Sequence, residues 1–180
     1  LFVAIQGFST DGHQYVENAI ENGATAIMVQ EGSNLKGMKI PDDITVVMAK
    51  DTREGLAIVS DNFYNHPSRK FKLIGVTGTK GKTTTTYMIR DILQKQGIKV
   101  GLIGTVASYV NDKKIEDNLN TTPESLNLQE IFSKMVKEKC EAVVMEVSSQ
   151  SLKLDRVAGC DFDIGIFTNL AEDHISTKEH

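Results

Sequence analysis

The 180 residues are 40% hydrophobic and carry a formal net charge of −4, enough apolar material for one ordinary domain or two small ones. That mild acidity gives no global reason to expect nucleic acid or an anionic membrane surface as a partner. The two cysteines, Cys140 and Cys160, lack metal-type spacing and outline no disulfide framework, and no apolar run approaches the roughly 20 residues of a membrane span.

In chain order, Leu1-Phe2-Val3-Ala4-Ile5 reads as the middle of a strand, not as a signal peptide. With no stop signal at Thr177-Lys178-Glu179-His180, both ends read as cut. Phe2–Ile5, Ala26–Val29 and Thr45–Met48 have strand length and composition. Between the first two, Tyr15, Val16, Ala19 and Ile20 recur at helical spacing, and Asn22-Gly23 ends that helix. After the third, Asp51-Thr52 caps a helix carrying Leu56, Val59 and Phe63. The polar stretch His66-Pro67-Ser68-Arg69-Lys70 marks a boundary, giving domains over 1–68 and 69–180.

The second segment repeats the alternation. Phe71–Val76 predicts a strand and Thr83–Gln96 a helix with Met88, Ile89, Ile92 and Leu93 on one face, closed by Gly97. Ile98–Ile103 is the next strand and Glu124–Lys139 the next long helix, with Thr122 as cap, Pro123 in the first turn and Glu124 favouring the dipole. Ala142–Val147 and Asp163–Thr168 complete the strands. The fold class is α/β: a small N-terminal α/β domain, then a mostly parallel sheet of the phosphate-loop type.

Thr77-Gly78-Thr79-Lys80-Gly81-Lys82-Thr83-Thr84 lies between a strand and a helix. Glycines bring backbone N–H groups against phosphate oxygens, the helix start adds its unpaired N–H groups, Lys82 supplies charge and Thr83 a hydroxyl suited to Mg²⁺. Val76 replaces the first glycine of the common pattern, leaving the shorter Gly-x-x-Gly-Lys-Thr. Thr85 and Thr86 read as helix surface and Lys80 as a solvated loop lysine. Glu146 interrupts the apolar run Val143-Val144-Met145-Glu146-Val147, where an unpaired carboxylate is costly and a metal ion offsets that cost; the bland alternative is a solvent-facing Glu on an edge strand. His174, past Phe167-Thr168-Asn169-Leu170, is a candidate metal ligand. His13, His66 and His180 read as structural or exposed.

These segments resemble the Mur ligase family over essentially the whole chain, and in particular its branch that adds the third residue to UDP-N-acetylmuramoyl-L-alanyl-D-glutamate. Gly75 to Thr85 resembles the ATP loop. Asn120-Thr121-Thr122-Pro123-Glu124 and Met145-Glu146-Val147-Ser148-Ser149 resemble the substrate motifs, and Phe167 to Leu170 with Asp173-His174 the metal-binding strand end. The resemblance implies that Gly78, Thr79, Lys80, Gly81, Lys82, Thr83 and Thr84 bind ATP, and that Phe8, Ser9 and Thr10 lie near the uridine nucleotide. It implies that Asn120, Thr121, Thr122, Ser148 and Arg156 hold the muramoyl dipeptide, and that Thr83, Glu146 and His174 serve Mg²⁺. Lys82, Glu146 and His174 would be the catalytic set. Lys80 stands where the family usually has Asn, Gln150 where His is common, and Leu154 where some members use Gln.

The implied reaction is phosphorylation of the D-glutamate side-chain carboxylate by ATP, followed by attack of a diamino acid on the acyl phosphate. A cytoplasmic monomer, without nucleic acid or membrane insertion, is expected. A carbamylated lysine shortly beyond His174 is also implied, so the 180 residues alone are expected to be inactive. Alternatives are another Mur ligase, a folylpolyglutamate synthetase-like ligase, or a non-catalytic nucleotide-binding module.

Overall fold

Three short apolar runs in the first part of the chain pair into one small parallel sheet. A computed structural model describes residues 1–171, in which β1 (Phe2–Val3), β2 (Ala26–Gln30) and β3 (Thr45–Ala49) lie side by side in that order. Ile27 sits opposite Phe2 on one side and Val46 on the other. A 3-10 turn over Gly12–Tyr15 leads into α1 (Val16–Glu21), and Asp11 caps the turn by accepting from the His13 N–H at 3.0 Å. Ala4, Val16, Ile27 and Val29 form the buried core, flanked by Phe2, Ile20, Leu35 and Met38.

After β3, α2 (Thr52–Phe63) begins as expected. Asp51 Oδ1 accepts from the N–H groups of Arg53 and Glu54, at 2.7 and 3.3 Å. The chain divides into two units within this helix, Leu1–Ile58 and Val59 onward. The expected polar junction is a 3-10 turn over Pro67–Lys70. Its Pro67 and Ser68 are buried, and the Ser68 hydroxyl accepts from the Asp161 N–H at 3.2 Å.

The second unit is built on a six-stranded sheet. Its elements are β4 (Lys72–Thr77), α3 (Lys82–Lys95), β5 (Val100–Ile103), β6 (Ala107–Val110), β7 (Lys113–Asp117), α4 (Ser125–Lys137), β8 (Ala142–Glu146), α5 (Ser149–Lys153) and β9 (Ile164–Phe167). The spatial order is β7-β6-β5-β8-β4-β9. The last four in that order are mutually parallel, while β6 and β7 run antiparallel.

Side chains that alternate along each strand feed two cores, which is why these strands read as unbroken apolar runs. Leu73, Ile103, Val143 and Met145 pack with Leu128, Ile131, Phe132 and Met135 of α4. Ile74, Val76, Leu102 and Val144 pack with Tyr87, Ile89 and Leu93 of α3. Burying a side chain such as Phe132 stabilises the unit by about 1.5–3 kcal/mol.

Four expectations need correction. Met88 and Ile92 are 60% and 62% exposed; of the expected face only Ile89 and Leu93 pack, partly buried, against the core, and Thr86 joins them. Thr86 is therefore not helix surface. It is fully buried, and its hydroxyl donates to the Thr83 carbonyl at 2.9 Å, which removes the cost of hiding a polar group. Helix α4 starts at Ser125 with Glu124 in the cap position, so Thr122 is not its cap. The β6–β7 hairpin and α5 were not expected at all. The hairpin turns at Asn111, which takes a left-handed φ of 49° and whose Oδ1 accepts from the Val100 N–H at 3.0 Å.

Candidate active site

Four neighbouring parallel strands, β5, β8, β4 and β9, end on the same side of the sheet, where ligands collect in open α/β folds. Each end carries polar residues. At the end of β4 the chain turns through Gly78, with φ of 132°. A Cβ there would collide with the Thr168 hydroxyl and lie 2.9 Å from the Asn169 carbonyl, so the turn requires glycine. Gly81, at φ 87°, forms the N-terminal boundary of α3, and no side chain caps the helix there.

The loop is braced from the end of β9. The Asn169 amide accepts from the Lys80 N–H at 3.0 Å and donates to the Lys80 carbonyl at 3.0 Å, to which Thr168 also donates at 2.7 Å. The Thr79 N–H donates to the Asn169 carbonyl at 3.0 Å, and the Thr79 hydroxyl accepts from the Ala171 N–H at 2.9 Å. Lys80 is thus anchored through its backbone. The Lys82 ammonium donates to the carbonyls of Gly78 and Thr79 at 2.7 and 3.1 Å, while Thr84 is exposed. Thr168 and Asn169 support the loop, a role that the segment's resemblance to a metal-binding strand end does not suggest; in the residues themselves the signal is a pair of polar side chains closing an apolar run.

Glu146 ends β8, between β5 and β4, so the alternative of an exposed carboxylate on an edge strand falls. It is 1% exposed. The Thr83 hydroxyl donates to its Oε2 at 2.9 Å and the Thr105 N–H to its Oε1 at 3.1 Å. Among the described residues no cluster of three or more His, Cys, Asp or Glu side chains is suited to a metal. A buried carboxylate beside a threonine hydroxyl is nevertheless a donor set that fits Mg²⁺, which takes one or two carboxylates and completes its shell with phosphate oxygens and water. His174 lies outside the described residues.

The Asn120–Glu124 segment meets the same strand end. Thr122 is fully buried; its hydroxyl donates to the Glu146 carbonyl and accepts from the Ser148 N–H, both at 3.0 Å. The Thr121 and Thr105 hydroxyls are 3.3 Å apart. Arg156, 9% exposed, donates to the Thr122 carbonyl at 3.1 Å and pairs with Glu124 at 2.5 Å. The Ser148 hydroxyl accepts from the Ser151 N–H at 3.1 Å, and Asn120 is exposed. Thr105, not singled out in the sequence, therefore touches both the Glu146 carboxylate and the segment ending in Glu124.

In the first unit, Phe8, Ser9 and Thr10 lie in an exposed turn closed by the Gly7 N–H donating to the Thr10 carbonyl at 2.9 Å. A cleft of about 430 Å³ in this unit is lined by Gln6, Asp11, His13, Gln30, Ser33 and Asn34 among others. His13 is an internal strut: its Nε2 accepts from the Gln30 N–H at 3.1 Å and its Nδ1 lies 2.6 Å from Asp11. Hydrogen bonds from the His13 backbone and ring hold the Asp11 carboxyl below its ordinary range.

Residues 76–179 match the Mur ligase middle domain, and residues 1–70 match the Mur ligase family, catalytic domain. The chain is 51% identical over 175 residues to the UDP-N-acetylmuramoyl-L-alanyl-D-glutamate--2,6-diaminopimelate ligase of Clostridium botulinum, covering 97% of this chain and 36% of that protein. It is 52% identical over 180 residues to the like-named ligase of Caldanaerobacter subterraneus subsp. tengcongensis, covering 99% and 36%. A solved structure of a ligase of that name superposes with a TM-score of 0.77 at 22% identity, over 97% of this chain and 34% of the other. A folylpolyglutamate synthase of Mycobacterium tuberculosis, complexed with ADP and AMPPCP, gives 0.59 at 12% identity, over 71% and 35%. These structural likenesses are likenesses of fold. The chain spans about a third of the length of the curated relatives it matches.

Proposed function

The chain belongs to the Mur ligase family, and from that premise we propose that it is part of an ATP-dependent ligase joining 2,6-diaminopimelate to UDP-N-acetylmuramoyl-L-alanyl-D-glutamate in peptidoglycan synthesis. The observation that carries the reading is the Thr83 hydroxyl 2.9 Å from the buried Glu146 carboxylate, which joins the phosphate loop to an acidic strand end. The choice of diaminopimelate over lysine is supported by the names of relatives at 51% and 52% identity. We place the junction between the uridine-side domain and the nucleotide-binding domain at residues 68–69, a little before the change from one family match, ending at residue 70, to the other, starting at residue 76.

In this reading the Gly78–Thr84 backbone and the start of α3 receive the phosphates of ATP. Lys82 exchanges its loop carbonyls for the β- and γ-phosphate oxygens. Thr83 and Glu146, together with His174, would hold Mg²⁺, which when bound neutralises phosphate charge. The D-glutamate side-chain carboxylate attacks the γ-phosphorus, and the bond to the ADP oxygen breaks, leaving an acyl phosphate. The incoming amine then attacks the acyl carbon. Its proton is lost, the carbon–oxygen bond to phosphate breaks, and an amide remains.

Asn120, Thr121 and Ser148 border the muramoyl dipeptide, held in place by the buried bonds of Thr122 and Arg156, and Phe8, Ser9 and Thr10 contact the uridine end. Catalysis of this kind rests on positioning and on stabilising developing negative charge. The test is phosphate release by the full-length protein with ATP, the dipeptide nucleotide and either diaminopimelate or lysine. Turnover dependent on the dipeptide nucleotide and faster with diaminopimelate is expected. Turnover with folate and glutamate in its place, or nucleotide binding with no acceptor-dependent hydrolysis, would overturn the assignment.

A further inference from the structure

The end of β5 carries a turn that the function above does not use. Glu146 has one carboxylate oxygen engaged by Thr83; the other is met by Gly104 and Thr105. The Thr105 N–H donates to Oε1 at 3.1 Å, and its hydroxyl lies 3.4 Å from both oxygens. A Cβ on Gly104 would sit 2.7 Å from the same Oε1. Gly104 has no left-handed φ, so its missing side chain provides space for the carboxylate, not backbone freedom.

This turn is itself held. The Asn118 amide donates to the Gly104 carbonyl at 2.7 Å, and the buried Ser108 hydroxyl bonds to Asn118 Oδ1 at 2.9 Å. The β6–β7 hairpin thus fixes the turn, and the turn fixes the carboxylate.

We propose that Gly104 and Thr105 are positioning residues, which set the orientation of Glu146 toward a nucleotide-bound divalent cation and link that carboxylate to the dipeptide-binding segment through Thr121. The inference rests on the functional reading above. A carboxylate stopped on one side by Thr83 and on the other by the Thr105 N–H presents its remaining lone pairs in fixed directions, which is how groups behind a metal ligand tune affinity. The hydroxyl of Thr105 has a single proton. When it donates to Glu146 it can only accept from Thr121, 3.3 Å away, so the cation side and the substrate side share one hydrogen-bond chain.

The test uses the full-length protein and calorimetric binding of ATP, titrated with Mg²⁺ or measured in EDTA. Gly104→Ala should raise the Mg²⁺ midpoint about tenfold while leaving metal-free ATP affinity unchanged. Thr105→Val keeps the N–H, so its Mg²⁺ midpoint should stay near wild type while KM for the dipeptide nucleotide rises and kcat changes less; Thr105→Ser should restore KM. A wild-type Mg²⁺ midpoint in Gly104→Ala, or an equal loss of ATP affinity with and without metal, overturns the orienting role. An unchanged KM in Thr105→Val overturns the link to Thr121. Absence of Mg²⁺-dependent ATP binding in the wild-type protein would instead sink the function on which the proposal rests.

Discussion

Two loops meet at Glu146, and they are held in opposite ways. The Gly78–Gly81 loop is fixed largely through its backbone: Asn169 and Thr168 grip the Lys80 peptide and the Lys82 ammonium rests on the Gly78 and Thr79 carbonyls, while the Thr83 hydroxyl meets Glu146. The Asn120–Glu124 segment is fixed in good part through its own side chains, with Thr122 buried against the end of β8 and Glu124 paired with Arg156. A loop braced from outside can spend its side chains on a ligand. One braced from within spends them on itself, and only residues such as Asn120 and Thr121 remain to face a substrate. Substitution of a ligand-facing side chain beside the first loop, such as Lys82, should therefore cost activity at little cost in stability, and buried substitutions in the second should do the reverse.

The largest expected effect follows from the first half of that contrast. Lys82→Ala in the full-length protein should lower kcat about a hundredfold or more. Its thermal midpoint should stay close to wild type, because the ammonium makes only two bonds to loop carbonyls. Turnover near wild type would take the loop out of the mechanism, and a large fall in the midpoint would erase the contrast between the loops.

Thr122→Val examines the other half. The change preserves shape but leaves the buried Glu146 carbonyl and the part-buried Ser148 N–H without their partner, at a cost of about 1–3 kcal/mol in stability. Urea denaturation of the full-length protein measures it. ATP affinity should change little, since Thr122 touches β8 through backbone groups and not through the Glu146 carboxylate. A loss of ATP affinity with no loss of stability would mean that Thr122 serves the ligand directly.

The same contrast explains what could be read from the sequence. The glycine turn between β4 and α3 was legible because its glycines answer backbone demands that few other residues meet; Gly78 has the Thr168–Asn169 corner against it. Glu146 was legible because a carboxylate inside an apolar run needs a partner, and the parallel strands and long helices because both faces of the sheet are covered. Thr122 was misread because a hydroxyl two residues before a helix suits a cap as well as a buried bridge, and only the fold decides. The stripe of α3 was half right: Ile89 and Leu93 face the core, but Thr86, self-satisfied by its bond to Thr83, goes inside with them while Met88 and Ile92 stay out. The hairpin and the Gly104–Thr105 turn were missed because their strands are short and their value lies in contacts with Glu146 and Asn118, distant in sequence.

The smallest expected effect separates the two ends of β9. Its far end braces the phosphate loop, while just before its start Asp163 accepts from the Lys72 ammonium at 2.6 Å and from the Leu73 N–H at 2.9 Å. These bonds hold the Asp163 carboxyl below its ordinary range, the Lys72 bond contributing most, and raise the Lys72 ammonium. A carboxyl with a depressed folded value adds stability that is full above its unfolded value, near 4, and is lost as pH falls through the folded value. The exposed setting of this pair keeps the contribution small. Asp163→Asn should therefore lower the urea midpoint slightly at neutral pH, and the gap from wild type should close as the solution is acidified below about pH 4. ATP affinity should not follow it, because the brace on the phosphate loop is made at the Thr168–Ala171 end. A gap that persists unchanged into acid would show that the Asp163 charge contributes nothing, and a parallel loss of ATP affinity would show that the strand transmits strain from its base to the loop, ending the separation between scaffold and site on which the comparison depends.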